Sequence, residues 1–146
     1  MRQSINEILE DLMFENYLTI SDLSKELSMD YKKLSNYIKG KFNPNLKSAI
    51  SLANYFNCSL DYLAGLSNYR KIAKYSEPDF LFYDRYKKLL EERKVSHYKL
   101  CKDLKININN LRTWRRGLLP TFSNLIKISE YLSVSIDDLI GREVIK

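Results

Sequence analysis

Cysteine, histidine and glycine are scarce in this chain. Among its 146 residues there are two cysteines (Cys58 and Cys101), one histidine (His97) and four glycines. Two lone thiols at non-equivalent places do not make the disulfide framework of a small secreted domain. His97 lies four residues before Cys101, on one face of a helix, but a zinc site needs two further ligands and none is nearby. Four glycines leave no phosphate-cradling loop, and no Ser/His/Asp or Cys/His set suggests a nucleophile. No apolar run approaches the roughly 18–20 residues that span a bilayer, and the opening MRQSINEILEDL lacks a secretion signal. These absences predict no catalysis, no cofactor, no metal, no membrane insertion and a cytoplasmic location. Segments alternating with period two are missing too, which argues against a sheet.

What the chain does have is repetition. Leu23, Leu27, Leu34, Tyr37 and Gly40 return 77 positions later as Leu100, Leu104, Leu111, Trp114 and Gly117. Pro44, Leu52, Phe56, Leu60, Leu63 and Gly65 return 76 positions later as Pro120, Ile128, Leu132, Ile136, Leu139 and Gly141. One residue is therefore missing between the glycine and the proline, KFN against LL. A gap confined to a loop, with both flanks in phase, marks two copies of one small domain. We place the first at 1–66, a connector at 67–79 and the second at 80–146.

Each copy reads as five short helices. Ile5, Ile8, Leu9, Leu12 and Met13 keep helical spacing through the first. Thr19 with Asp22 forms a capping box for a second helix over 20–27. Asp30 caps a third over 31–39, which Gly40 closes in the left-handed conformation. Asn43-Pro44 restarts the chain for a fourth helix over 46–56, and Ser59 caps a fifth over 60–64. Ser96, Asn107, Gly117, Thr121, Ser135 and Gly141 repeat these signals in the second copy. The predicted fold is all-α.

Helix, three-residue turn, helix, then Gly, Pro, an amphipathic helix and a closing S-x-D-x-L form a recognisable series. The segments are SDLSKELSMDYKKLSNYIKGKFNP…NYFNCSLDYLAG and HYKLCKDLKININNLRTWRRGLLP…EYLSVSIDDLIG. This series resembles the phage-repressor-like (XRE) helix-turn-helix family, in two copies covering about 5–66 and 82–142. The resemblance implies two tandem five-helix, lambda-repressor-like domains. It also implies sequence-specific binding to double-stranded DNA, usually by a dimer that regulates transcription. Family members often carry Gln at the start of the second helix; here that position is Ile20 and His97.

The residues support the same reading. The second helix of such a motif lies in the major groove, with side chains near its N-terminus at base edges. In the first copy, Leu34, Tyr37 and Ile38 are needed inside, so Tyr31, Lys32, Lys33, Ser35, Asn36 and Lys39 should face outward. In the second, with Leu111 and Trp114 inside, Ile108, Asn109, Asn110, Arg112, Thr113, Arg115 and Arg116 should do so. Asn suits adenine and Arg suits guanine, each bidentately. Lys39, Lys41 and Arg116, with the amides of Leu46 and Phe122, suit phosphate oxygens.

Charge divides unevenly. Residues 1–66 hold seven Lys and Arg against eight Asp and Glu, a net of −1, and 67–146 hold seventeen against ten, a net of +7. Arg70, Lys71 and Lys74 make the connector basic. Glu7, Glu10, Asp11 and Glu15 gather on the opening helix, as on a solvated back face or a docking surface. The connector's thirteen residues, fully extended, reach at most about 43 Å, more than the ~34 Å between adjacent half-sites. Phe80, Leu81, Phe82, Tyr83 and Tyr86 exceed what one small core absorbs, which leaves either a helix extension packed on the connector or an interdomain, dimer or other protein contact at 80–86.

Two functions follow. The first is a transcriptional regulator, a repressor from a bacterium, phage or mobile element, reading DNA with helices 31–39 and 108–116 as a homodimer. The alternative is a protein-binding adaptor or inhibitor that reuses the scaffold, with at most one unit on DNA.

Overall fold

The computed structural model describes residues 3–70 and 72–146; Lys71, counted in the charge of the connector, lies outside them. The described residues form ten helices and no strand, with one isolated antiparallel bridge between Tyr75 and Val144. They divide into two compact units, Met1–Lys74 and Tyr75–Lys146. Unit 1 holds α1 (Ile5–Glu15), α2 (Ile20–Leu27), α3 (Tyr31–Ile38), α4 (Leu46–Tyr55) and α5 (Leu60–Leu63). Unit 2 holds α6 (Phe82–Arg93), α7 (His97–Leu104), α8 (Asn110–Arg115), α9 (Phe122–Leu132) and α10 (Ile136–Ile140).

Local chemistry starts most of these helices. The side chains of Thr19, Asp30 and Ser59 accept from the backbone N–H three residues on, as do those of Ser96, Thr121 and Ser135. Each such cap contributes about 1 kcal/mol. Ser4 and Glu7 add a reciprocal capping box to α1. The fourth helix takes Asn45 as its cap, just beyond the Asn43-Pro44 restart. In α8 the cap fails: the Asn107 carboxamide accepts from Asn109 N–H instead, at 2.8 Å. Its carbonyl takes Asn110 N–H, and Ile108 and Asn109 carbonyls take Leu111 and Arg112 N–H. These i→i+3 bonds wind 107–109 into a tight turn, so the helix begins at Asn110 and not at 108.

Backbone handedness carries the repeat into three dimensions. Among the described residues, the ten with positive φ fall into pairs: Tyr17 with Lys94, Ser28 with Lys105 and Gly40 with Gly117, 77 apart, then Asn57 with Ser133 and Gly65 with Gly141, 76 apart. The register changes by one residue between Gly40 and Asn57, where the sequences place the gap.

Unit 1 is built on an aliphatic core, with Ile5, Leu9 and Leu12 of α1 against Leu23, Leu34, Leu52, Leu60 and Leu63, all buried. Each such side chain contributes about 1.5–3 kcal/mol. Unit 2 replaces three of the equivalent positions with larger rings. Phe82, Tyr86 and Trp114 stand where unit 1 has Ile5, Leu9 and Tyr37. Trp114 meets the other two edge to face, with centroids 5.4 and 5.3 Å apart. Two members of the aromatic stretch are therefore core residues, while Phe80, at 81 % exposure, and Leu81 remain outside. Both cysteines are buried and unpaired with each other, and no group of three metal-ligating side chains occurs among the described residues.

Connector residues are tied to the units. Arg70 pairs with Glu15 at 2.7 Å, and Ala73 N–H donates to the Asn57 carbonyl. Ser76 N–H donates to the Glu143 carbonyl beside the Tyr75–Val144 bridge. The 43 Å span of a free thirteen-residue chain therefore overstates the reach of 67–79. Asp79 accepts two bonds from Arg85, at 2.8 and 2.6 Å, and one from Leu81 N–H. A Cβ at Gly141 would collide with this carboxylate. The Arg85 hydrogen bonds hold the Asp79 pKa down to about 2. Because the folded value lies below the unfolded 3.8, the pair stabilises unit 2 above about pH 4 and loses that contribution as pH falls toward 2. Asp79→Asn is expected to flatten the acid-unfolding curve between those limits, followed by circular dichroism. An unaltered curve would show that the pair adds nothing.

Candidate nucleic-acid interface

In each unit two helices meet across a short left-handed turn. Ser28 ends α2 with φ 50°, and Lys105 ends α7 with φ 58°. The chain then reverses into α3 or α8, whose inner faces are held by the core. At 100° per residue, Leu34, Tyr37 and Ile38 define the buried side of α3, and Lys32, Asn36 and Lys39 lie opposite. The same positions in unit 2 are Asn109, Thr113 and Arg116. Lys32, Lys39, Asn109, Thr113 and Arg116 are exposed and Asn36 is half-buried. Each unit thus presents one polar stripe at spacing i, i+4, i+7.

The other nominated residues divide. Tyr31, Lys33 and Lys41 of unit 1 are exposed, as are Ile108, Arg112 and Arg115 of unit 2; Asn110 is half-buried. Leu111, expected inside, is only half-buried. Ser35 does not face outward: it is 8 % exposed, at the edge of a buried arc of α3 that also holds Leu34, Tyr37 and Ile38. Both α1 and α2 pack on α3, which widens that arc beyond what three apolar residues suggest.

Two supports of α8 escape sequence reasoning. Arg115 Nε donates to the Tyr83 hydroxyl at 3.2 Å, its guanidinium carbon 5.8 Å from the ring centroid. This side chain is thereby drawn to the flank where α6 meets α8. His97 lies 2.9 Å from the Ile108 carbonyl through Nε2 and 2.8 Å from the Tyr86 hydroxyl through Nδ1. A carbonyl only accepts, so Nε2 carries the hydrogen and Nδ1 accepts from Tyr86. The ring thus ties α6 to the turn that launches α8. Burial pushes the Tyr86 phenol far above its ordinary range and raises the Cys101 thiol as well. Cys101, 3.4 Å from His97 Nε2, is accordingly a poor thiolate. The bonds of His97 to Tyr86 and Ile108 and of Arg115 to Tyr83 join residues 11 or 32 apart in different segments, so only the repeat's aromatic excess hinted at them.

After the loop that follows each stripe, a further helix begins. Asn45 and Thr121 cap α4 and α9 through the N–H groups of Ser48 and Asn124. The first-turn amides at Leu46 and Phe122 then project from the helix ends, where the helix dipole favours an anion.

The chain was compared with known proteins. Residues 85–144 match the family described as Cro/C1-type HTH DNA-binding domain, and residues 8–63 match the helix-turn-helix family. No curated protein and no solved structure matches the chain significantly. The two matched segments contain α2–α3 and α7–α8, the helix pairs that present the polar stripes. The chain is therefore a tandem of two Cro/C1-type helix-turn-helix domains and belongs to the DNA-binding regulators of that family.

Proposed function

We propose that this protein is a sequence-specific repressor from a bacterium, phage or mobile element, acting in the cytoplasm as a homodimer on double-stranded DNA. The observation that supports this most is the stripe of Lys32, Asn36 and Lys39 on α3 and its counterpart on α8, each turned away from a closed core. With α3 and α8 in the major groove, Lys32, Lys33, Asn36, Asn109, Asn110, Arg112 and Thr113 face base edges. Lys39, Lys41, Arg115 and Arg116, with the amides of Leu46 and Phe122, hold phosphates on either side. Tyr31, at the start of α3, packs on the sugar-phosphate edge. Occupancy of the operator then excludes transcription.

The test is fluorescence anisotropy with the protein's own upstream DNA against a scrambled duplex, at two salt concentrations. Arg112→Ala/Arg116→Ala is expected to weaken selective binding about 10- to 100-fold and to lower the salt slope by about 1 for the lost phosphate contact. Equal, weak binding to both duplexes that ignores the substitutions would sink this reading. A second reading gives unit 1 to a protein. What favours it is the acidic α1, with Phe14 on it and Tyr17 just beyond its end at 84 % and 94 % exposure. In that case Lys32→Ala/Lys33→Ala would leave DNA affinity unchanged.

A further inference from the structure

The two recognition helices share a frame but not an edge chemistry. At corresponding positions the outward stripe reads Lys32, Asn36, Lys39 in unit 1 and Asn109, Thr113, Arg116 in unit 2. The difference extends beyond the stripe. Ser35 and Ile38 are 8 % and 7 % exposed, buried on α3. Their counterparts Arg112 and Arg115 are exposed on α8, and Arg115 is held by Tyr83. Unit 1 has no such holder, because Asn6 stands at the equivalent position and lies against Gly40.

Hydrogen-bonding capacity follows these side chains. Asn36 matches the N6/N7 edge of adenine, whereas Arg112 matches the O6/N7 edge of guanine. At the leading outward position unit 1 has a cation, Lys32, where unit 2 has an amide, Asn109. Operator symmetry mirrors protein symmetry. Two units with unlike edges in one chain break that symmetry within the chain, even where two chains pair.

We infer that each chain reads a bipartite site of two unlike half-motifs, one per unit. This rests on the DNA-reading function proposed above and adds the class of DNA it takes. Palindromy, where it arises, then relates whole composite sites on two chains and not the two halves read by one. Unit 2, which exposes Arg112 where unit 1 buries Ser35, reads the guanine-containing half.

The experiment is selection from a random duplex pool by the full 146-residue chain, followed by sequencing. Two exchange variants go through the same selection: Lys32→Asn/Asn36→Thr and the reciprocal Asn109→Lys/Thr113→Asn. All four positions lie at least partly in solvent, and circular dichroism confirms that helix content is kept. The wild type is expected to enrich two different motifs. Each exchange is expected to alter one motif and leave the other, lowering affinity for the wild-type site about 5- to 150-fold. One motif in two like copies, or exchanges in one unit that change nothing, would overturn the bipartite reading and leave a DNA-binding protein. No enrichment at all by the wild type would overturn both this inference and the function beneath it.

Discussion

Replacing Trp114 by alanine is expected to destabilise unit 2 by about 3–5 kcal/mol, the usual loss for a buried aromatic ring. The ring is 2 % exposed and touches Phe82, Tyr86 and His97 edge to face. A domain of some seventy residues has only about 4–11 kcal/mol in total, so the substitution should remove a large share of the stability of unit 2. Trp114 is also the single tryptophan of the chain. In the wild type its fluorescence reports on unit 2 alone, while circular dichroism reports on both units. Urea titration of the wild type by both signals, and of the variant by circular dichroism, isolates the effect. A variant whose helical signal and midpoint match the wild type would show that the cluster of rings does not anchor α8. The functional consequence is direct, because Trp114 is the inward side of the helix that carries Arg112 and Arg116.

The second large effect is expected at Asp137. Its carboxylate meets the Arg142 guanidinium at 2.7 Å, with the two side chains 7 % and 0 % exposed. Tyr75 covers the guanidinium, its ring centroid 4.2 Å away. Removing one member of a buried ion pair leaves its partner's charge in a medium that solvates it poorly, at a cost of about 3–5 kcal/mol. Asp137→Ala should therefore lower the unfolding midpoint sharply. The double variant Asp137→Leu/Arg142→Met, which removes both charges and keeps volume, should regain most of the loss. If the double variant is as unstable as the single one, the damage comes from packing and not from a stranded charge. Unit 1 has Asp61 and Leu66 at these positions, so the buried arginine belongs to unit 2 alone. It fastens the incoming chain at Tyr75 to the end of the domain.

Much of the fold was legible because helix ends write themselves locally. Thr19, Asp30, Thr121 and Ser135 each cap the helix they announce, and the repeat doubled the signals at Thr19 and Ser135 as Ser96 and Ser59. Asn107 failed for a reason outside its own tetrapeptide: its amide side chain satisfies Asn109 first. The stripe on α3 was legible from the apolar residues that must turn inward. Ser35 was not, since a serine reads as polar and its burial comes from tertiary packing. Arg115 was correctly placed in solvent, yet its bond to Tyr83 spans 32 residues and has no signature in spacing. Arg142 reads as a surface cation by type; its burial depends on Asp137 and Tyr75 arriving from two segments. The aromatic stretch reads either as a helix extension or as an interdomain or dimer contact, and two of its five residues, Phe82 and Tyr86, fill the core of unit 2.

The paired left-handed residues bear on how much thermal headroom the molecule has left. Glycine occupies both members of only two of the five pairs; the other three hold Tyr17, Lys94, Ser28, Lys105, Asn57 and Ser133. A side chain in that conformation carries roughly 1–2 kcal/mol of steric strain, less the backbone freedom that glycine would lose on folding. What the two copies share at these corners is a direction of the chain and not a residue. Six places thus exist where a simple exchange to glycine relieves strain, and four of them lie away from the turns that aim α3 and α8. A hardier version of this protein is within reach without touching a single side chain on its polar stripes.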